Sequence, residues 1–180
     1  MARRGTLFIP NNTYYLTFTI LGWNKIFLNN SYCCPIIKWF DYCRENYKNK
    51  IQGYAIMPDH VHVLMFITKH SPQLPMFIMN AKRFIAYDIV DLLQKDKKIE
   101  LLKYFNINAR TRCRAHHKIF TDGYDSLLID SRKFFLQKLN YIHNNPVRKR
   151  LVQEPEEYRY SSASNYTNGV GYYDIDLVDF

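Results

Sequence analysis

The run Tyr54-Ala55-Ile56-Met57-Pro58-Asp59-His60-Val61-His62-Val63-Leu64-Met65-Phe66 constrains this chain more than any other segment. Two apolar, strand-forming stretches flank a Pro-Asp turn signal. Side chains two apart on a strand share a face. His60 and His62 therefore project together, while Val61 faces the other way. Two neutral imidazoles on one face are half of a divalent-metal site. The same pair also suits two partly buried histidines with ordinary hydrogen bonds, so the rest of the chain must decide between these readings.

The best partner segment is Phe134-Phe135-Leu136-Gln137-Lys138-Leu139-Asn140-Tyr141-Ile142-His143-Asn144-Asn145-Pro146-Val147-Arg148. Phe135, Leu139 and Ile142 fall at i, i+4 and i+7, one apolar stripe of a helix. Asp130 or Ser131 is placed to cap its start, and Pro146 to stop it. Tyr141 and Asn145 sit one turn apart on a neighbouring face. Asn145 offers a carbonyl oxygen as a third ligand, and Tyr141 a phenol that can act as a nucleophile.

Together these segments resemble a known family. Pro58-Asp59-His60-Val61-His62 matches the "HUH" signature, His–hydrophobic–His. Tyr141-Ile142-His143-Asn144-Asn145-Pro146-Val147 resembles the catalytic helix of single-tyrosine transposases, in particular the REP-associated tyrosine transposases and insertion-sequence transposase-like proteins. The run from Leu151 to Ser162 resembles the family's tail after that helix. The resemblance implies a ferredoxin-like/RRM-like HUH nuclease fold. It implies Mg²⁺ or Mn²⁺ held by His60, His62 and Asn145, with Tyr141 as nucleophile. The implied reaction cleaves and rejoins single-stranded or hairpin DNA through a 5′-phosphotyrosine, leaving a free 3′ hydroxyl. The alternative is a domesticated module that grips such DNA without cutting it. A metal-dependent hydrolase using water, and a replication-initiator-like nickase, are less well supported. No further His-x-His serves the first, and no helicase or primase partner domain accompanies the second.

A net charge of +9 favours an anionic partner, with nucleic acid leading. Arg110, Arg112 and Arg114, followed by Lys118, form one basic cluster; Arg148, Lys149 and Arg150 form another. Lys82, Arg83 and Lys138 are further candidates for phosphate contact. A phenol ionises near pH 10 in model peptides, so a tyrosine nucleophile needs help from the metal or from Lys138, although a solvent-facing role suits that lysine as well. Asp59 is explained as a turn residue and is also placed to orient an imidazole. His143 points elsewhere on the helix and reads as structural or DNA-contacting.

The 180 residues, 47% hydrophobic, suit one domain over 1–180 with a loosely packed tail from about 163. No apolar stretch approaches a membrane span, and no secretory leader is evident, so a cytoplasmic protein is expected. Cys33, Cys34, Cys43 and Cys113 lack Cys-x-x-Cys spacing, which suits reduced thiols. Strands are predicted over 13–20, 51–57 and 60–68, with short extended pieces over 118–120 and 126–129 as the fourth strand region. Helices are predicted over about 35–48 and 76–95, with a short one over 99–105 and the tyrosine helix. The order β, α, β, β, α, β, α fits an α+β domain with an antiparallel sheet, helices mainly on one face and strand three central. Both monomer and homodimer are compatible with this reading.

Overall fold

The computed structural model describes residues 8–109 and 116–178. Four strands, β1 (Asn12–Thr19), β2 (Lys50–Ile56), β3 (His60–Ile67) and β4 (Asp125–Ile129), form one sheet in the order β2-β3-β1-β4. All three pairings are antiparallel. Helix α1 (Cys34–Tyr47) joins β1 to β2, while α2 (Leu74–Lys95) and α3 (Ile99–Ile107) separate β3 from β4. This is the split β-α-β, ferredoxin-like arrangement, and β3 is central as expected. Pro35 and Pro75 sit in the first turns of α1 and α2, where their missing N–H leaves no bond unmade.

Strand periodicity divides the core in two. Tyr14, Leu16 and Phe18 of β1 and Val61, Val63 and Met65 of β3 face α1 and α2, meeting Ile36, Phe40, Phe77 and Ile85. The alternate residues Tyr15 and Leu64, with Ala55, Met57 and Ile129, face α4 (Arg132–Arg148) through Phe135, Leu139 and Ile142. Helices α1 and α2 thus share one face, and α4 crosses the other. Its start is capped by Ser131, whose Oγ accepts from the Phe134 amide at 3.3 Å. Gly53 lets the helix sit close: a Cβ there would stand 2.7 Å from Leu139 Cδ1.

Two expectations need correction. Pro146 does not stop α4, which runs on to Arg148. Proline removes one N–H, but the Lys149 amide donates to Asn145 O at 3.0 Å and Leu151 to Pro146 O at 3.0 Å, so the final turn closes around it. The segment after 163 is not a loose tail either. It contains α5 (Ala163–Asn168), the Tyr173 hydroxyl donates to Asp41 at 2.8 Å, and Asp176 accepts from Arg44 at 2.7 Å and from the Ile51 amide at 2.9 Å. A tyrosine and an acid, spaced to reach α1 and β2, hold a stretch whose composition reads as polar loop.

The chain before α5 also protects the free edge of β2. Ile56 donates to Tyr160 O at 2.8 Å, and Ser162 donates to Tyr54 O at 2.9 Å. An exposed edge would otherwise invite pairing with another chain. His143 of α4 joins this segment through Nε2 and Ser162 Oγ, 2.8 Å apart. Among the described residues, no helix is long and apolar enough to cross a membrane.

Ile142 is fully buried between α4 and the sheet. Ile142→Ala should lower the unfolding free energy by about 2–5 kcal/mol in urea denaturation, as a buried aliphatic truncation does. A loss below about 1 kcal/mol would mean that α4 is not held through this residue.

Candidate metal and tyrosine site

The β2–β3 hairpin turns through Pro58 and Asp59, closed by Met57 N–H to His60 O at 2.8 Å. The turn is fixed from outside. Ile20 and Phe27 donate their amides to Asp59 O and Pro58 O, at 2.9 and 3.0 Å. His60 and His62 then project from β3 onto the face covered by α4, with Nε2 atoms 3.1 Å apart. Both are buried.

Each imidazole is held by its other nitrogen. His60 Nδ1 lies 2.5 Å from Asp59 Oδ1. A carboxylate only accepts, so Nδ1–H is the donor here, and in a neutral ring the bare nitrogen is then Nε2. His62 Nδ1 meets the hydroxyls of Tyr15 and Thr17 at 2.8 and 3.0 Å. Burial, then His60 and Lys138, lower the His62 pKa to about 3, so this ring is neutral near pH 7. With its proton on Nδ1, it too turns a bare Nε2 inward. Burial likewise pushes the Tyr15 phenol up, which keeps it a neutral hydroxyl.

Helix α4 supplies the remaining groups. Asn145 is buried, with Nδ2 3.4 Å from His60 Nε2. Rotation of its amide by half a turn presents the oxygen there instead. One turn earlier, the Tyr141 ring lies 5.6 Å from that of His62 and 6.4 Å from that of Tyr15. Tyr141 remains 39% exposed, so this residue is not sealed inside the fold. Arg148 Cζ stands 4.9 Å from the Tyr141 ring centre and Lys138 Nζ 5.7 Å. A cavity of about 250 Å³ is lined in part by Thr17, Thr19 and Asp125; on β1, Thr17 and Thr19 are the strand partners of His62 and His60.

Two bare nitrogens facing each other at 3.1 Å repel unless a proton or a cation lies between them. Two ligands at right angles around a divalent ion, each about 2.1 Å away, are themselves about 3.0 Å apart. The donor set of two imidazole nitrogens and an amide oxygen thus fits such an ion. Among the described residues there is no cluster of three His, Cys, Asp or Glu that would hold one by itself. Asn145 is the side-chain amide placed beside the pair, 3.4 Å from His60 Nε2.

The expected residues do not all converge. His60, His62, Asn145, Tyr141, Lys138 and Arg148 do, and Lys138 lies against aromatic rings instead of extending into solvent. Lys149 and Arg150 are exposed just beyond α4. Lys82 and Arg83 lie on α2, across the sheet from the histidines. Lys82 does not face phosphate: its ammonium donates to the carbonyls of Thr121 and Gly123, and burial lowers its pKa to about 8. Arg83 lies over Phe84, and Lys118 pairs with Asp122 at 2.8 Å. Arg110, Arg112 and Arg114 fall outside the described residues. Tyr15 and Thr17, which support His62, are not among the residues the sequence motifs point to. The alternation Thr13, Tyr15, Thr17, Thr19 along β1 was the available signal, since it places four hydroxyls on one face.

His143 behaves like His62, with burial lowering its pKa to about 4. Both rings stay neutral in the fold and take up protons on unfolding below about pH 6.5. Stability should therefore be flat above that pH and fall as the pH drops from about 6.5 toward 4. Urea denaturation in EDTA should show a shallower fall when His62→Gln and His143→Gln are combined; an unchanged slope would contradict the buried neutral state.

No family model matches the chain, and no curated protein matches it in sequence. Among solved structures it is similar to a REP-associated tyrosine transposase bound to a REP hairpin, with a TM-score of 0.64 and 15% identity, covering all of this chain and 95% of that one. A second structure, of a Deinococcus radiodurans protein assigned as a transposase, gives a TM-score of 0.47 at 18% identity, covering 79% of this chain and 96% of that one. The sheet order, the helix placement and the full-length overlap with the first structure give this chain the fold of the REP-associated tyrosine transposase.

Proposed function

We propose that the protein cleaves and rejoins single-stranded, hairpin-bearing DNA through a covalent tyrosine intermediate, as a transposase-like enzyme. The observation that carries this reading is the convergence of two distant segments: His60 and His62 on β3, and Asn145 and Tyr141 on α4. Its fold relative is bound to a REP hairpin, which supports a hairpin substrate. A net charge of +9 supports a polyanionic one.

His60, His62 and Asn145 would hold Mg²⁺ or Mn²⁺, with Asp59 and the Tyr15 and Thr17 hydroxyls orienting the two rings. Such an ion, when bound, polarises a phosphodiester and offsets the charge that builds on it. Tyr141 Oη attacks phosphorus, giving up its proton to water at its exposed edge. The bond to the 3′ oxygen breaks, and that oxygen leaves with the electron pair and takes a proton from water as a 3′ hydroxyl. The DNA 5′ phosphate is then esterified to Tyr141. A 3′ hydroxyl reverses these events and restores a phosphodiester, so no nucleotide cofactor is consumed. Arg148 and Lys138 flank the Tyr141 ring and offer counter-charge to the phosphate.

Within one chain the Tyr141 ring lies 5.6 Å from that of His62, which supports a site that uses its own tyrosine. Tyr141→Phe should bind hairpin DNA within roughly threefold of the parent and form no denaturant-resistant adduct. Tyr141→Phe mixed with the His60→Ala, His62→Ala double variant should remain inactive. An adduct in the Tyr141→Phe protein would remove the nucleophile assignment. Activity restored by mixing would show that tyrosine and histidines act across two copies. Tight hairpin binding by the parent, with no adduct in Mg²⁺ or Mn²⁺, would favour a binding module.

A further inference from the structure

Trp23 has no part in the chemistry above, yet it stands at the rim of the site. Its indole is 62% exposed, and its ring centre lies 6.1 Å from that of His60 at an interplanar angle of 77°. Exposure of a large aromatic ring is unremarkable by itself; the backbone that displays it is not. Gly22 and Trp23 both adopt left-handed conformations, with φ of 65° and 56°. That region suits Gly or Asn and penalises a bulky side chain. The turn is built to hold this shape. A Cβ on Gly22 would collide with the Tyr104 hydroxyl, and Asn24 Nδ2 donates to Leu21 O at 2.7 Å. Leu21 is tied to Ile119 and Ile20 to Asp59, so the turn is anchored to the hairpin that carries the histidines. Strain kept in an exposed aromatic, beside buried polar groups, points to a task outside the fold.

We infer that Trp23 is a stacking platform for a DNA base next to the scissile phosphate, an inference that rests on the function proposed above. With a phosphate at the His60–His62 pair, the adjoining nucleotide lies within reach of an indole that is mostly open to solvent. Every base offers a flat surface to such a ring, so the contact places the strand without selecting its sequence. Trp23 is a positioning residue here: it touches a neighbouring base and fixes which phosphate meets Tyr141.

The chain has two tryptophans, and Trp39 is buried, so emission excited beyond the tyrosine band reports quenching at Trp23. The probe is a labelled hairpin DNA with single-stranded oligodeoxyadenylate flanks, titrated in EDTA against the same hairpin with abasic flanks. Anisotropy of the label measures binding, and tryptophan emission measures stacking. The expected result is quenching that saturates together with binding and is absent with abasic flanks. Trp23→Ala should weaken binding roughly 5- to 100-fold, and Trp23→Phe much less. Saturated binding with unchanged emission, Trp23→Ala binding as tightly as the parent, or no binding to the adenylate-flanked probe would each overturn the inference. Adding Mn²⁺ separates the two readings. An adduct with unquenched Trp23 removes the platform and leaves the tyrosine chemistry standing; quenching with no adduct does the reverse.

Discussion

The docking of α4 on the second face of the sheet is the contact on which the site depends. Phe135, Leu139 and Ile142 settle on Ala55, Met57, Leu64 and Tyr15, and Gly53 removes the side chain that would crowd Leu139. The same helix carries Asn145 and Tyr141 on the flank of that apolar stripe. Its distance and rotation on the sheet therefore decide whether an amide and a phenol meet the histidines at all. Burial by this helix also helps to keep His62 neutral, as a metal ligand has to be. One packing event thus sets position and protonation together.

Around that contact, hydrogen bonds on the outer side determine what the inner side can do. Asp59 takes the Nδ1 proton of His60, and two β1 hydroxyls engage Nδ1 of His62. The two Nε2 atoms then face each other, with Asn145 beside that of His60. The turn holding Asp59 is pinned by the backbone of residues 20–27, the loop that also displays Trp23. Hairpin, loop and helix form one connected frame around the imidazoles.

Much of this was legible in the sequence. A two-residue period placed His60 and His62 together, and a helical period placed Tyr141 and Asn145 one turn apart, because each relation is local and set by backbone geometry. The order of elements gave the sheet its class. The harder features were those that depend on distant partners. Pro146 reads as a stop signal, but the helix recovers its bonds one turn later. Polar residues after 163 read as tail until Asp41 and Arg44 are brought beside Tyr173 and Asp176. Lys82 looks like a phosphate contact from charge alone; two carbonyls of the β4 approach, 39 and 41 residues away, hold its ammonium.

If the docked helix and the hairpin hold one cation beside Tyr141, that ion must sit against both imidazoles. Pulsed electron paramagnetic resonance of Mn²⁺ added to the full chain, with ¹⁵N-labelled histidine, tests it most directly. The expected result is one bound Mn²⁺ coupled to two imidazole nitrogens, falling to one in His62→Ala. Mn²⁺ that binds with no imidazole coupling, or coupling unchanged in that variant, would contradict it.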